Sequence, residues 1–371
     1  MIIQTKSFQE SCKKILEAVD TNISSVVNET LELEANGKVL NLNVTNKEYY
    51  VSVKMPLDIE VKLHAVVNAQ LFLNLISKIT TGTLELDVVD NTLVLKANGN
   101  YKIPMIFDDT EIVELPKINI ENVTNTFSIK NSILQSILKY NTKELLKNGG
   151  ASPVQKLFYI DEKGAITFAN GACVNNFTLD QKVVLTLTEK IVRLFKLFKS
   201  ESVNFNMGFD ALESGVVAQK VSFSDDQVTL TSIITTKEEL VNKFPVQGIR
   251  KWTEETYDYT ITIDRLTLLE SINRLSLFSK NGSDLGSTHM SFGVDGVTVL
   301  DSKKENNEEV KYVNKVDKLK KPYEASFDTN DLKLTLETSE GQYIVVSFGN
   351  NRAAVIKRND ISNIIPEVQA N

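Results

Sequence analysis

The chain contains few of the residues that enzymes most often use for chemistry. Its 371 residues include two histidines, two cysteines and one tryptophan. We expect His64 and His289 to be ordinary, partly exposed residues, and no histidine is near enough in the chain to activate Cys173 as a nucleophile. The sequence has no Walker-type phosphate loop, no dinucleotide-binding glycine motif and no metal-ligand cluster. We therefore predict a protein that is not an enzyme and needs no metal or cofactor.

Other absences indicate where the protein works. Cys12 and Cys173 are too few for a disulfide scaffold, which favours a reduced, intracellular setting. The first residues lack the apolar stretch of a signal peptide, and no run of 18 apolar residues is present to cross a membrane. We expect a cytoplasmic protein with no membrane partner. The net charge is −7, so any basic surface has to be local.

One pattern occurs three times along the chain. A strand runs directly into an amphipathic helix at residues 5–8, 128–131 and 262–265, and a second helix follows each of these at 69–76, 189–195 and 329–334. The period, roughly 120 to 140 residues, is that of a whole domain rather than of a solenoid repeat. The sequence therefore predicts three tandem domains, over residues 1–122, 123–252 and 253–371.

Each repeat is predicted to be an α+β domain with two helices against antiparallel sheets. Alternation of polar and apolar residues predicts strands, and Asn36-Gly37 predicts a hairpin between strands at 30–34 and 38–44. Asp90-Asn91 predicts a second hairpin, and Asn68 is a candidate cap for the helix at 69–76. Segments 115–125 and 244–255 are predicted to be linkers. Sheets of this kind expose one face and bury the other under the helices.

Basic residues follow a regular pattern on the predicted helices. Between residues 189 and 200, Lys190, Arg193, Lys196 and Lys199 occupy one half of a helical wheel, and the apolar residues except Val192 lie on or near the other half. In the helix predicted for 131–147, three lysines recur every fourth residue: Lys139, Lys143 and Lys147. The matching helices of the other repeats add Lys13, Lys14, Lys78, Arg265 and Arg274.

For any one of these residues, a solvated helix face is the simpler interpretation. As a set they predict a basic surface on an otherwise acidic protein, suited to the phosphates of nucleic acid without reading its sequence. Aromatic residues do not alternate with the bases, so duplex DNA is the expected ligand rather than a single strand. The acidic pair Asp225-Asp226 is predicted to be solvated loop charge.

The layout of the chain resembles that of one known family. Three α+β repeats of this size and order are similar to the bacterial β-type DNA polymerase sliding clamp, the DNA polymerase III β subunit family. The resemblance covers residues 1–366. In that family two subunits close head to tail into a ring, and twelve helices surround duplex DNA. It implies a ring-forming homodimer, a processivity factor whose partners are double-stranded DNA, a DNA polymerase and a clamp loader.

The resemblance also implies a groove for client peptides between the second and third domains. The family's Ala-Thr-Asp-Gly-His-Arg-Leu motif corresponds here to 168–174, which keeps the glycine but lacks the His-Arg pair. Its Phe-Pro and C-terminal apolar-Pro patterns correspond to 244–245 and 364–366. The implied groove residues are Gly171, Val174, Pro245, Ile249 and Ile365, with altered specificity. A merely structural apolar cluster at a domain junction is the alternative interpretation.

The subunit interface is implied in the same way. Leu277-Phe278 matches the family's two adjacent apolar residues before a serine, and two large apolar side chains at a helix end are difficult to bury within one domain. Their implied partners in the neighbouring subunit are Tyr101 and Ile103. The family's early Arg-Pro-Thr-Leu loop is replaced by residues 20–25. This departure and the altered groove motif are typical of a divergent member, such as one encoded by a phage.

Two other classes of protein remain as alternatives. A non-enzymatic, β-rich structural protein of a virion or tail would need no basic helix faces and no polymerase partner. A two-domain hydrolase or transferase would need a catalytic constellation, which the sequence lacks.

Overall fold

A computed structural model describes residues 1–20, 27–46, 48–142, 152–211, 217–234, 238–278, 286–316, 318–349 and 353–368. Within these ranges the chain is α+β, with antiparallel sheets and short helices, as the sequence predicts. It forms two compact units. Unit 1 comprises residues 1–134 and 193–235, and unit 2 comprises residues 135–192 and 236–371.

The elements follow in chain order. The first third contains β1 (Ile2–Gln4), α1 (Thr5–Leu16), β2 (Thr30–Thr45), β3 (Tyr49–Asn68), α2 (Ala69–Ser77), β4 (Thr83–Val89), β5 (Thr92–Lys96), β6 (Asn100–Pro104), β7 (Phe107–Asp108) and β8 (Glu111–Ile112). The middle contains β9 (Val123–Lys130), α3 (Asn131–Ser136), β10 (Leu157–Asp161), β11 (Gly164–Phe168), β12 (Ala172–Asn176), β13 (Val184–Thr188), α4 (Glu189–Arg193), β14 (Ser202–Ala211), β15 (Val217–Ser224) and β16 (Val228–Ile234). The last third contains α5 (Glu238–Asn242), α6 (Val246–Glu254), β17 (Tyr259–Asp264), α7 (Arg265–Ser276), β18 (Ser287–Phe292), β19 (Gly296–Leu300), β20 (Asn307–Lys311), β21 (Tyr323–Asp328), α8 (Thr329–Thr338), β22 (Tyr343–Phe348), β23 (Ala353–Arg358) and β24 (Ile361–Pro366).

Unit 1 is built on a six-stranded sheet, β2-β3-β16-β15-β14-β9, and a four-stranded sheet, β1-β4-β5-β6. Helices α1 and α2 pack on each other, with the rings of Phe8 and Phe72 edge to face at 6.1 Å between centroids. The Leu71 N–H donates to Asn68 Oδ1 at 2.9 Å, which confirms the predicted cap of α2. The hairpin at Asp90-Asn91 is also confirmed, and Asp90 adopts the positive φ of 50° that the tight turn requires.

The hairpin predicted at Asn36-Gly37 is wrong. Residues 30–45 form one long strand, β2, which pairs with β3 on both sides of this dipeptide. The register shifts between Gly37 and Val39, and Gly37 has a φ of 74°. The dipeptide therefore forms an irregularity within the pair rather than a turn, because a left-handed glycine suits both a bulge and a hairpin.

Unit 2 is built on an eight-stranded sheet, β13-β10-β11-β12-β24-β23-β22-β17, and a four-stranded sheet, β20-β19-β18-β21. Helices α7 and α8 pack on each other, and their apolar residues join the strands in one core that includes Leu268, Ile272 and Leu336. Aspartates cap both helices. Asp264 Oδ1 accepts from Thr267 N–H, and Asp328 Oδ1 accepts from Asp331 N–H, each at 2.9 Å.

Two further segments differ from their predictions. The helix predicted for residues 189–200 is α4 followed by a 3₁₀ turn, Leu194–Leu197, and the supposed linker at 244–255 contains α6. The helix predicted for 131–147 begins as α3 and continues as a π-helical turn, Ile137–Asn141. Buried Asn141 donates from Nδ2 to Thr167 Oγ1 and to the carbonyls of Ala165 and Cys173, at 3.3–3.4 Å, so it ties this turn to β11 and β12.

The predicted boundaries of the three domains stay a prediction. The two units do not test them, because each unit combines strands from two of the sequence repeats. In unit 1, β16 of the second repeat pairs with β3 of the first, and in unit 2, β12 of the second pairs with β24 of the third. Sheets thus continue across the repeat boundaries.

Candidate functional sites

Unit 2 contains an apolar groove of about 350 Å³. Its lining comes from the turn after β11, from helix α6 and from strand β24. The residues are Phe168, Ala169, Asn170, Gly171, Ala172, Pro245, Gly248, Ile249, Trp252, Ile364 and Pro366. None of these side chains is charged, so the groove suits an apolar ligand segment.

The groove is held in shape by close packing around Gly171. A Cβ atom on this residue would lie 2.2 Å from the carbonyl oxygen of Ile364, so only glycine lets the turn approach β24 this closely. Beneath the turn, Phe244 packs edge to face on Phe168 at 4.9 Å and stacks on Tyr159 at 5.1 Å. These contacts fix the aromatic wall of the groove.

Helix α6 is attached to the sheet by a buried ion pair. Arg250 Nη2 lies 2.6 Å from Asp161 Oδ1 on β10, and both side chains are largely buried. Burial alone would lower the pKa of Arg250, but the hydrogen bond and charge of Asp161 outweigh it, so the pKa is raised and the pair stays charged. The Tyr257 hydroxyl donates to the Trp252 carbonyl at 2.8 Å and closes the end of the helix.

The structure brings three of the five expected groove residues to the lining: Gly171, Pro245 and Ile249. Val174 is buried in the apolar cluster beside the groove. Ile365 lies on the opposite face of β24, in the core beneath α7 and α8, and its neighbour Ile364 lines the groove instead. Because successive side chains of a strand point to opposite faces of the sheet, a predicted residue that is one position away from the true one lies on the wrong face. Phe168, Trp252 and Pro366 also line the groove and are not among the five expected residues, although an aromatic residue beside the glycine motif is a usable signal.

The basic stripe between residues 189 and 200 is largely exposed. Arg193, Lys196 and Lys199 are exposed and Lys190 is half-buried, whereas Val192, the exception on the helical wheel, is fully buried. The change from α4 to the 3₁₀ turn keeps Arg193 and Lys196 on one face, because residues three apart eclipse in a 3₁₀ helix. Lys199 follows the turn, after the extended residue Phe198.

In unit 1 the part of this stripe that begins at Arg193 meets the end of α1. Lys196 Nζ pairs with Glu17 Oε2, and Lys14 Nζ donates to Gln227 Oε1. Lys13 and Lys78 are exposed, and among the described residues they have no carboxylate within ion-pair distance. Unit 1 thus presents bases from α1, α2 and the segment after α4.

Asp225 positions the end of this basic segment. Its carboxylate accepts hydrogen bonds from the backbone N–H groups of Lys199, Ser200, Gln227 and Val228, at 2.7–3.3 Å. Burial by itself would raise its pKa, but the four backbone donors outweigh it and the pKa lies below the ordinary value of 3.8. The prediction of a merely solvated charge is therefore wrong for Asp225. Asp226 is exposed, as predicted.

In unit 2 the expected bases are engaged in structural contacts. Lys139 pairs with Glu340 and lies over the Tyr140 ring. Arg265 donates from Nε and NH1 to the carbonyls of Gly341 and Leu336, at 2.9 and 2.8 Å. Arg274 forms a two-pronged pair with Glu308, at 2.8 and 2.7 Å, which cancels its charge. Lys143 and Lys147 lie outside the described residues.

The expected interface residues differ in exposure. Leu277 is 81% exposed and Phe278 53% exposed, directly after the end of α7. Tyr101 is half-buried, but Ile103 is only 3% exposed, so its side chain belongs to the core of unit 1 and leaves little surface for a partner. Both residues lie on β6, an edge strand of its sheet within the described residues.

The two histidines make hydrogen-bonding contacts within the fold and do not form an evident functional site. His289 is buried, not partly exposed as predicted, and Nδ1 lies 2.5 Å from Ser326 Oγ. Burial and the nearby charge of Lys304 lower the pKa of His289. His64 Nε2 lies 3.1 Å from the buried Glu32 carboxylate. Across the described ranges no three His, Cys, Asp or Glu residues are grouped to hold a metal, and no described helix is long and apolar enough to span a membrane.

The whole chain matches solved structures of one kind. The β subunit of the DNA polymerase of Streptococcus pyogenes superposes with a TM-score of 0.83 at 14% identity, covering 99% of both chains. The DNA polymerase sliding clamp of Bacillus subtilis gives 0.78 at 16%, covering 100% of this chain and 99% of that one. The DNA polymerase III β subunit of Thermotoga maritima gives 0.77 at 14%, covering 99% and 98%.

No protein-family model and no curated protein matches the sequence of the chain. The likeness therefore concerns the fold. The chain has the fold of the bacterial DNA polymerase sliding clamps along its full length, as the repeats predict.

Proposed function

We propose that the protein is a DNA sliding clamp, which surrounds duplex DNA as a head-to-tail homodimeric ring and has no catalytic activity. The observation that carries this proposal is the match of the complete chain to clamp structures. In such a ring, twelve helices spaced about 8–10 Å apart give a circle of helix axes roughly 30–38 Å across. That width leaves room for a duplex and a layer of water.

The electrostatics of unit 1 support this function. Exposed bases around Arg193 and Lys196 are suited to phosphates, which attract a protein without fixing its position in the sequence. Weak contacts are sufficient, because a closed ring is retained on DNA by its topology. A polymerase bound to the ring then stays near the primer end through its effective concentration.

The groove of unit 2 is proposed to bind a short apolar segment of the polymerase and of other clients. Trp252, the one tryptophan of the chain, lines this groove, so its fluorescence reports on the occupied state. Titration with a peptide from the polymerase of the same source should change this fluorescence and saturate. Absence of any change at concentrations where the polymerase binds would assign the clients to another surface.

The function itself is tested by primer extension. With the replicative polymerase and clamp loader of the same source, the protein should lengthen the products of single binding events on a primed circular template. The gain should disappear on a linear template with free ends, because a ring slides off them. Equal product lengths with and without the protein on the circle would contradict the proposal.

A structural role in a virion would instead be supported by assembly into filaments or shells. The clamp fold does not favour it, and the exposed basic stripe has no use in such an assembly.

A further inference from the structure

A loop of unit 2 carries a dense positive charge. Residues 311–321, from the last residue of β20 towards β21, contain five lysines and one acidic residue, although the whole chain has a net charge of −7. All five lysines are exposed: Lys311, Lys315, Lys318, Lys320 and Lys321. We call this segment the lysine loop. None of its described residues lines the apolar groove.

The described part of the lysine loop, residues 311–316 and 318–321, is anchored to the core of unit 2. Val316 and Leu319 are buried with the core of unit 2, between the exposed lysines. The Val316 N–H donates to the Val294 carbonyl at 2.9 Å, and the Val313 N–H donates to the Thr262 carbonyl at 2.8 Å. Because these contacts hold the backbone, the lysines are presented from a fixed base, and less backbone entropy is lost when a partner binds.

Apolar side chains lie beside the charge. Val313 is 61% exposed, and Val294, in the turn to which the loop is bonded, is 41% exposed. One lysine, Lys315, pairs with Asp295 of the same turn at 3.1 Å. The other four lysines have no carboxylate within ion-pair distance among the described residues. Among the described residues, the surface therefore combines four lysines without an ion-pair partner and two exposed valines, and Asp317, the one acidic residue of the loop, lies outside the described residues.

We propose that the lysine loop is a docking surface for an acidic polypeptide segment that also carries aliphatic side chains. Carboxylates would face the lysines, and aliphatic side chains would cover Val294 and Val313. Nucleic acid fits less well, since a phosphate backbone leaves the valines uncovered and a single strand needs exposed aromatic rings for stacking. The one aromatic residue within the loop, Tyr312, has its hydroxyl buried. Complementary charge of this kind accelerates association and makes binding depend on salt.

The test uses a defined probe and the full chain. A fluorescein-labelled 12-residue peptide of alternating glutamate and valine is titrated with the protein, and binding is followed by anisotropy at low and at physiological salt. A second peptide with serine in place of valine keeps the charge and removes the aliphatic groups. The charge variant is Lys318→Glu with Lys320→Glu. Its control is Lys303→Glu with Lys304→Glu, which makes the same charge change on an exposed loop at the other end of β20.

We expect the charge variant to bind the glutamate–valine peptide at least tenfold more weakly, and the control variant to bind it within twofold of the unmodified chain. Val294→Ser with Val313→Ser should weaken binding of the glutamate–valine peptide threefold or more and leave binding of the glutamate–serine peptide unchanged. Thermal unfolding verifies that the variants are folded. Four results would each overturn the proposal. The charge variant could bind the glutamate–valine peptide as tightly as the unmodified chain does, or the unmodified chain could bind both peptides equally. The glutamate–valine peptide could also fail to bind, or be displaced by a duplex DNA of the same charge.

Discussion

Helices α1 and α7 begin with the same backbone geometry and end differently. Each is 12 residues long and follows directly on a strand, and the residue before each helix has a φ of −67° and a ψ of 119°. After the last residue, α1 continues with Glu17 and the buried Ala18, whereas α7 continues with the exposed Leu277 and Phe278. The repeats thus share the packing of the helix and differ in the surface at its end.

The same contrast separates the two units. Unit 1 presents bases on α1, α2 and after α4, of which Lys196 pairs with Glu17, while the base of α7 in unit 2, Arg274, pairs with Glu308. Unit 2 presents apolar surface in the groove around Gly171 and at the end of α7, and its lysine loop is exposed elsewhere. The matching helices α1 and α7 therefore differ at their ends, which are basic in unit 1 and apolar in unit 2. The following changes are designed to break or sharpen this difference.

The largest effect is expected at the end of α7. Leu277→Asp with Phe278→Asp should convert dimers to monomers, because each side chain contributes about 1.5–3 kcal/mol when buried and a head-to-tail ring has two such contacts. Light scattering at micromolar concentration measures the mass. Leu266→Asp changes an exposed leucine at the other end of the same helix and should leave the dimer intact. Dimers of the double variant would refute this placement of the interface.

The next effect concerns binding of duplex DNA by unit 1. Arg193→Glu with Lys196→Glu should weaken binding by roughly tenfold to a hundredfold and reduce the slope of log affinity against log salt by about 0.9 for each lost phosphate contact. Arg274→Gln with Glu308→Gln should leave both quantities unchanged, since this change removes a pair that carries no net charge. Anisotropy of a labelled duplex measures both. A weaker complex for this pair of substitutions than for Arg193→Glu with Lys196→Glu would reverse the assignment of the two units.

Two glycines of the groove should respond in opposite directions. Gly171→Ala places a Cβ atom against the backbone of β24 and should lower the free energy of unfolding by about 1–3 kcal/mol. Gly248→Ala, in α6, meets no atom within 4 Å and should raise it by about 0.5–1 kcal/mol, because alanine restricts the unfolded chain and favours a helix. Urea denaturation measures both. Equal effects of the two substitutions would show that Gly171 is not under steric constraint.

The smallest effect is expected at Asp225. Its replacement by alanine should cost about 1 kcal/mol at neutral pH through lost backbone hydrogen bonds, whereas Asp226→Ala should be nearly neutral. Because the folded-state pKa of Asp225 is lowered, its contribution is fully present above the ordinary value of 3.8 and disappears as the pH falls through the lower folded-state pKa. The difference between Asp225→Ala and the unmodified chain should therefore shrink in acid. A constant difference between pH 7 and pH 2 would contradict this account.

The sequence was sufficient to predict the repeated pattern of elements and most of the local structure. The strand-to-helix junctions, the Asn68 cap and the turn at Asp90-Asn91 follow from short-range rules of capping and turn geometry. Asn36-Gly37 failed because the same local preference for positive φ serves a bulge, and only the partner strand β3 decides between the two outcomes. Long-range pairing is not encoded in the dipeptide itself.

The sites were less accessible to sequence reasoning than the fold. The exposure of Leu277 and of the basic stripe could be predicted from amphipathic patterns. The neutralisation of Arg274 could not, because Glu308 is 34 residues away and meets it only through the packing of β20 on α7. The choice between Ile364 and Ile365 required the register of β24, and a pattern of adjacent apolar residues does not define that register.

The central claim is that the chain closes into a ring around DNA, and electron microscopy of the purified full-length protein tests it most directly. The account predicts class averages of closed rings with a pseudo-sixfold outline and a central hole wide enough for duplex DNA. Compact particles or filaments without a hole would contradict it.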